Sequence, residues 1–240
     1  PAHLVRVRTN LSGPEATPRG SVRAPAVRSM FDTIAPRYDR LNRLLTFRLD
    51  IGWRRRTVSS LGLESGSLVA DLACGTGDLC RDLYRTGYQA IGIDLSWGML
   101  AASRTEVPLI HGDALSTSLP DHSMDGITCG FALRNLEALD PFLAEITRIL
   151  RPGGRMALLE VDRPTNPVLR FGHGLYFNRV VPWVGGLLSD RDAYQYLPRS
   201  VAYLPDRAEL LTLIADAGFV EVGKESLSGG IAQLLTATRR

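Results

Sequence analysis

Apolar residues along this chain follow no period at first, then a helical one, then a strand-like one. Residues 1–27 mix Pro, Gly, Arg, Ser and Thr without a repeat, which predicts a flexible arm. Order begins near Met30. Met30, Phe31, Ile34, Ala35, Tyr38, Leu41, Leu44 and Leu45 recur at helical spacing, and a second short helix is expected to start at Gly52 and Trp53. From Leu68 the pattern becomes short apolar runs. Residues 68–72, 90–94, 109–111, 126–130 and 155–160 read as strands, with helical patterns between them. In one of these, Asp140 and Pro141 look like an N-cap and a first helical position. Phe142, Leu143, Ile146, Ile149 and Leu150 mark its apolar face, and Gly153-Gly154 its stop. Asp206 and Glu209 suggest a capping box for a last helix ending at Gly218. Two further strands, near 219–225 and 231–238, complete seven. This alternation predicts an α/β fold: a Rossmann-like, doubly wound, mostly parallel seven-stranded sheet. The N-terminal helices would cover it.

One segment breaks the rhythm. Residues 163–204 are rich in Tyr, Phe, Trp, Val and Leu, too long for a plain connection and too apolar for a linker. An inserted acceptor-binding lid is expected there, within a single domain of residues 28–240.

Composition narrows the class. With 45% hydrophobic and 22% charged residues in 240, the chain is suited to one globular α/β domain. No run of about 18 apolar residues suggests a membrane span, and no signal-peptide core is visible. Cys74, Cys80 and Cys129 lack metal-ligand spacing, and no His/Cys/Asp cluster has it either. A reduced, cytoplasmic chain without structural metal is expected. The net charge of +3 is uneven. Residues 1–60 hold twelve Arg against four acids, a net of +8, which leaves −5 for the rest. That asymmetry suggests either peripheral contact with an anionic membrane or a plain solvated face.

Candidate chemistry starts at the first strand. Val69-Ala70-Asp71-Leu72-Ala73-Cys74-Gly75-Thr76-Gly77-Asp78 reads as strand, glycine turn and helix start. Glycines let the backbone approach a ligand, and the helix start offers free N–H groups. Asp94 follows at the tip of the next strand, where a carboxylate can accept both hydrogen bonds of a ribose diol. Gly112-Asp113 closes the third strand. Cys80 stands where the dinucleotide fingerprint needs its third glycine, which disfavours a pyrophosphate.

The spacing Asp71…Gly75-Thr76-Gly77, Gly92-Ile93-Asp94 and Gly112-Asp113-Ala114 resembles class I S-adenosylmethionine-dependent methyltransferases. More specific marks follow in order. They are Phe31…Ile34-Ala35-Pro36-Arg37-Tyr38-Asp39, Trp53-Arg54-Arg55, Phe131-Ala132-Leu133-Arg134-Asn135, Leu150-Arg151-Pro152-Gly153-Gly154 and Tyr194-Gln195-Tyr196-Leu197. These resemble the UbiE/MenG/Coq5 family, which C-methylates demethylmenaquinol or a ubiquinone precursor. The likeness covers roughly residues 29–239. It implies S-adenosyl-L-methionine as cofactor, with Asp94 on the ribose, Asp113 on the adenine amino group, and Gly75 and Gly77 along the methionine half. It also implies Tyr38 as a cover, with Asp71, Ala73, Leu95, Met99 and Ala114 beside them.

Methyl transfer from a sulfonium is an in-line displacement, so positioning matters most. Loss of a phenolic proton activates the ring carbon, helped by a base or a cation. Arg134 is the first candidate to stabilise a phenolate, unless it pairs structurally with a neighbouring acid. Asn135 would orient the oxygen. Glu160, Asp162, Tyr194 and Tyr196 are the candidate bases, and the two acids could equally be salt-bridged. The run from Leu175 to Leu188 offers an apolar wall for a prenyl tail, or simply packs on the sheet or at a homodimer contact.

Asp50, Val161, Asp162, Pro198, Arg199, Leu204 and Leu235 depart from the family pattern, several of them near the expected acceptor region. The readings to be separated are therefore three. They are a C-methyltransferase acting on a prenylated quinol in menaquinone/ubiquinone biosynthesis, one acting on a soluble aromatic or polyketide metabolite, and a non-catalytic binding protein. No RNA-binding module is visible, so no nucleic acid is expected.

Overall fold

The computed structural model describes residues 23–136, 138–176, 179 and 204–240. The described residues open with helix α1 (Arg23–Leu45), so the helix reaches back past the expected start at Met30. Pro25 falls in its first turn, where a missing N–H costs nothing. Ile34, Ala35 and Leu41 form its buried stripe, packed against Met99. Phe47 and Arg48 then adopt left-handed backbone conformations (φ 51° and 65°), and α2 (Leu49–Ser60) begins at once. That is three residues before the expected Gly52. Its first turn is fixed by Asp50, which accepts hydrogen bonds from Thr46 and Arg54, each at 2.7 Å. No glycine or proline announces such a start.

Seven strands follow: β1 (Leu68–Leu72), β2 (Gln89–Asp94), β3 (Leu109–His111), β4 (Met124–Gly130), β5 (Leu150–Val161), β6 (Phe219–Leu227) and β7 (Ala232–Arg239). Their order is β3-β2-β1-β4-β5-β7-β6, and β7 alone runs antiparallel to its neighbours. The expected doubly wound sheet is therefore present. Helices α3 (Asp78–Arg85), α4 (Trp97–Ala101), α5 (Leu139–Ile149), α6 (Pro167–Leu175) and α7 (Arg207–Asp216) fill the connections.

Strand alternation assigns the two faces. Met156 and Leu158 of β5 join Phe142, Ile146 and Ile149 of α5 and Leu210 and Ile214 of α7. Ala157 and Leu159 point the other way, to Trp53 and Val58 of α2 and Leu79 and Leu83 of α3. The sheet is thus covered on both sides.

Two local expectations need correction. Helix α5 starts at Leu139 after Ala138, which makes no side-chain cap, so Asp140 is in the first turn rather than at the cap. A carboxylate there still meets the positive helix end, and Pro141 replaces an N–H that has no partner anyway. The helix also stops at Ile149, ahead of Gly153-Gly154. Leu150 is already extended, and the register jumps from Met124–Leu150 to Gly126–Arg155, so the two glycines sit in an irregularity of β5. Asp206, by contrast, caps α7 as expected, accepting from the Glu209 amide at 2.9 Å.

The arm up to residue 22, most of the expected lid and the aromatic pair Tyr194 and Tyr196 lie outside the described residues.

Candidate active site

The carboxyl ends of β1, β2 and β3 form one polar edge. After β1, Ala73, Gly75 and Gly77 are all left-handed (φ 54°, 57° and 79°), which turns the chain sharply into α3. A side chain at Gly75 would meet nothing within 4 Å, so the backbone there fronts open space. Glycine is needed at this point for its φ, and its missing Cβ leaves room for a ligand. The Gly75 amide donates to one Asp94 oxygen at 2.7 Å, and the Ser96 amide donates to the other at 2.8 Å. Asp94 therefore ties the β1 turn to the β2 turn, while each oxygen keeps a lone pair for a further donor. Burial pushes its carboxyl up, and the two amides oppose that shift.

Helix α1 is latched over this edge by two carboxylates. Asp39 accepts from the Thr76 hydroxyl at 2.5 Å. Asp32 accepts from the Ser96 hydroxyl at 2.6 Å and the Gly98 amide at 2.9 Å, and the Ser96 bond holds its carboxyl below the usual range. Tyr38 lies between the latches, half-buried, edge-on to Phe31 at 6.0 Å. Burial raises its phenol above the ordinary value.

The other expected cofactor residues fall into two groups. Leu95 and Asp113 are exposed at the strand tips, with Asp113 accepting from the Leu115 amide at 2.9 Å. His111 stands with them at the end of β3, edge-on to Trp97 and 3.0 Å from the Leu95 carbonyl. Met99 and Ala114 are buried in packing clusters. Asp71 needs correction. Its side chain is buried behind the turn, where it accepts from Thr128 at 2.8 Å and from the Cys80 thiol at 3.5 Å. Burial pushes it up to about 7. It supports the turn from beneath, because it is level with Gly92 in register, two residues further from the carboxyl edge than Asp94.

Beside the polar edge lies a cavity of about 360 Å³. Its wall is mainly apolar: Leu45, Phe47, Leu49, Trp53, Phe131, Val161, Val168, Leu169 and Ile231, with Tyr38 and Arg134 also exposed to it. Phe131 is left-handed (φ 60°). Trp53 donates its ring N–H to Ser228 at 2.8 Å.

Arg134 sits on a 3-10 turn (Leu133–Asn135) after β4. Its guanidinium donates to Glu160, whose carboxylate also accepts from the Arg134 amide at 3.2 Å and the Val161 amide at 2.8 Å. Glu160 is fully buried. Glu160 as a base is thus corrected: a carboxylate enclosed by three donors is an orienting partner, and it aims Arg134 at the cavity. Asp162 is likewise engaged, by Lys224 at 2.7 Å. Asn135 donates to the Phe131 carbonyl at 3.4 Å, within its own turn. Sequence reasoning missed Asp32, Asp39 and Thr76, whose contacts span long separations. It also missed Trp53, Phe131 and Ser228 as cavity walls. Only the left-handed residues leave a local trace.

Comparison with known proteins gives matches in sequence and in fold. The model of the ubiE/COQ5 methyltransferase family matches residues 19–239. A ubiquinone/menaquinone biosynthesis C-methyltransferase UbiE from Syntrophotalea carbinolica is 38% identical over 221 residues, covering 88% of this chain and 93% of that protein. A demethylmenaquinone methyltransferase from Desulfitobacterium hafniense is 34% identical over 233 residues, with 92% of each chain covered. Among solved structures, a SAM-dependent methyltransferase from Aquifex aeolicus superposes with a TM-score of 0.56 at 17% identity, over 78% of this chain and 89% of that one. A Haemonchus contortus phosphoethanolamine N-methyltransferase 2 in complex with S-adenosyl-L-methionine gives 0.57 at 15%, over 78% and 52%.

Proposed function

The chain belongs to the ubiE/COQ5 methyltransferase family, and from that premise we propose that it transfers a methyl group from S-adenosyl-L-methionine to a ring carbon of a prenylated quinol, such as demethylmenaquinol. The observation that carries this reading is adjacency. A polar, glycine-turned edge suited to a nucleoside meets an apolar cavity, and Tyr38 and Arg134 stand at the junction.

The residues at the edge fit that cofactor. Open space in front of Gly75 accommodates a ligand chain, and Asp94 is held ready to accept from a diol. Asp113 offers a second, exposed carboxylate at the adenine end. When bound, the cofactor supplies an electrophilic methyl group on a sulfonium. Asp94 and the Gly75–Gly77 turn fix its position, Met99 and Ala114 pack beneath, and Tyr38 closes the edge from α1.

On the acceptor side, the apolar wall excludes water and orients a flat ring. Arg134 remains cationic at any relevant pH. Its guanidinium stabilises negative charge developing on a phenolic oxygen, in a site where such an interaction is strong. Glu160 keeps it from swinging away. A prenyl tail leaves the cavity between Phe47 and Leu49 on one side and Val168 and Leu169 on the other. Such a tail keeps the acceptor in a bilayer, so the enzyme works as a peripheral visitor to an anionic membrane surface.

Two measurements test the reading. Calorimetric titration is expected to show micromolar binding of S-adenosyl-L-methionine and none of NAD. Mass spectrometry is expected to show methylation of prenylated and tail-less naphthoquinols. Activity confined to tail-less or soluble aromatic acceptors overturns the prenylated quinol, and absent cofactor binding overturns the whole reading.

A further inference from the structure

Ten large hydrophobic side chains are exposed among the described residues; four of them, Phe47, Leu49, Val168 and Leu169, line one cavity, and Leu44, Phe171 and Leu175 stand on the same two elements. Leu44, Phe47 and Leu49 stand on the α1–α2 corner, and Val168, Leu169, Phe171 and Leu175 on α6. The two groups touch. The Phe47 and Tyr176 rings lie 5.7 Å apart, and the Tyr176 hydroxyl donates to the Leu45 carbonyl at 2.7 Å. Phe47 is 73% exposed, Phe171 77% and Val168 79%. Apolar side chains scattered singly need no explanation, but a contiguous group does.

The other side of the same corner is cationic. A second cavity, also about 360 Å³, is lined by Arg43, Arg48, Arg54, Arg55, Arg81 and Arg85 against Asp78 and Asp82. Asp78 is already bound by Arg43 and Arg54, each at 3.2 Å, and by Arg81. Positive charge is therefore in excess there. Arg54 lines both cavities. Phe47 and Arg48 share the left-handed tip between them, a conformation that costs energy in residues with side chains and sets an aromatic beside a cation at the corner.

We propose that this corner and α6 form a docking face for the surface of an anionic phospholipid bilayer. The arginine groove takes lipid phosphates, the apolar lips enter the acyl boundary, and the acceptor cavity opens directly into the membrane. The proposal rests on the quinol reading above and assigns the contact to named residues of the folded domain rather than to the arginine-rich arm. Charge complementarity selects the occupant. A second copy of the chain would bury the apolar lips equally well, but it leaves the arginine excess uncompensated. Interfacial binding scales with buried apolar area plus attraction to anionic lipid, about 1 kcal/mol or roughly fivefold per basic side chain near the surface.

The full chain is to be floated with vesicles of phosphatidylcholine alone and of an equal mixture with phosphatidylglycerol. Binding is expected to the mixture only, and to weaken with salt. The double variant Arg48→Gln/Arg55→Gln should lose partitioning by on the order of 20-fold from those two charges. Leu44→Ser/Phe171→Ser should lose on the order of tenfold through lost apolar burial. None of these four side chains lines the acceptor cavity, so all variants should methylate a tail-less quinol at the parent rate. Three results overturn the docking face: no vesicle binding by a chain active on tail-less quinol, binding indifferent to both double variants, or a dimer that Leu44→Ser/Phe171→Ser dissociates. Vesicle binding by a chain that methylates no quinol would instead overturn the functional reading and leave the face standing.

Discussion

The cofactor edge and the acceptor cavity lie side by side but are built on opposite principles. The edge is short in sequence and dense in hydrogen bonds: Gly75, Asp94 and Ser96 lie within 22 residues, and their bonds run backbone to side chain. The cavity gathers Tyr38, Trp53, Phe131, Arg134, Val161 and Ile231 from across the chain, and the buried charges in its lining, Asp50, Arg54 and Arg134, are all paired. A local polar network fixes a position to a fraction of an ångström. A distant apolar assembly fixes a shape, and tolerates change until a charge inside it loses its partner.

The largest effect should come from breaking the pair of Arg134 and Glu160. Arg134→Ala leaves Glu160 buried and uncompensated, which is expected to cost about 3–5 kcal/mol of stability in denaturant unfolding. The double variant Arg134→Met/Glu160→Gln should recover most of that stability but not methyl transfer. Recovery of both would show that the guanidinium serves the fold alone.

At the edge, Asp94→Asn should act on binding more than on folding. One oxygen becomes a donor facing an amide, and charge-assisted bonds of about 1.5–3 kcal/mol each weaken. Cofactor affinity measured by calorimetry should fall on the order of 100-fold. An unchanged affinity would remove Asp94 from the ribose role.

The same contrast explains what could be read from the sequence. The glycine turn, Asp94 and the strand alternation were legible because each is a local rule: left-handed φ, a strand tip, a period of two. The pairing of Arg134 with Glu160 was foreseeable as an alternative, because Arg134 follows β4 and Glu160 lies near the end of β5, which pairs with it. The latches from Asp32 and Asp39 to Ser96 and Thr76 were not, since nothing local marks a carboxylate that will reach 64 or 37 residues away. Asp71 misled because it shares a sheet face with Asp94 but sits two residues further from the carboxyl edge in register, a depth only the strand pairing reveals, and there it meets Thr128 and Cys80.

That misplacement has its own signature. Burial raises Asp71 from 3.8 to about 7, so between those values the folded chain holds a proton that the unfolded chain has released. Stability should therefore fall as pH rises from about 4 to about 7, and level off above. Glu145, held down at about 2 by Arg148, has the opposite sign: its contribution is present above 4.5 and lost as pH falls toward 2. Asp71→Asn should flatten the upper window and leave the lower one unchanged in thermal unfolding followed against pH. A fall of the same size in the variant would assign it to another group.

The smallest effect tests the junction itself. Tyr38 faces the cavity beside Arg134, and its phenol bonds Asn42. Burial raises its pKa, so at neutral pH it remains protonated and is poorly suited to take a proton from a quinol. Tyr38→Phe keeps the ring that closes the edge and removes one hydroxyl, a loss of about 1 kcal/mol. The expected result is a kcat within about fivefold of the parent and a pH profile of unchanged shape. Tyr38→Ala should instead raise the KM for the cofactor, because it opens the cover. If Tyr38→Phe abolished turnover and removed a limb of the pH profile, the hydroxyl would be part of the proton path, and the division between a positioning edge and a charge-stabilising cavity would fail at the one residue they share.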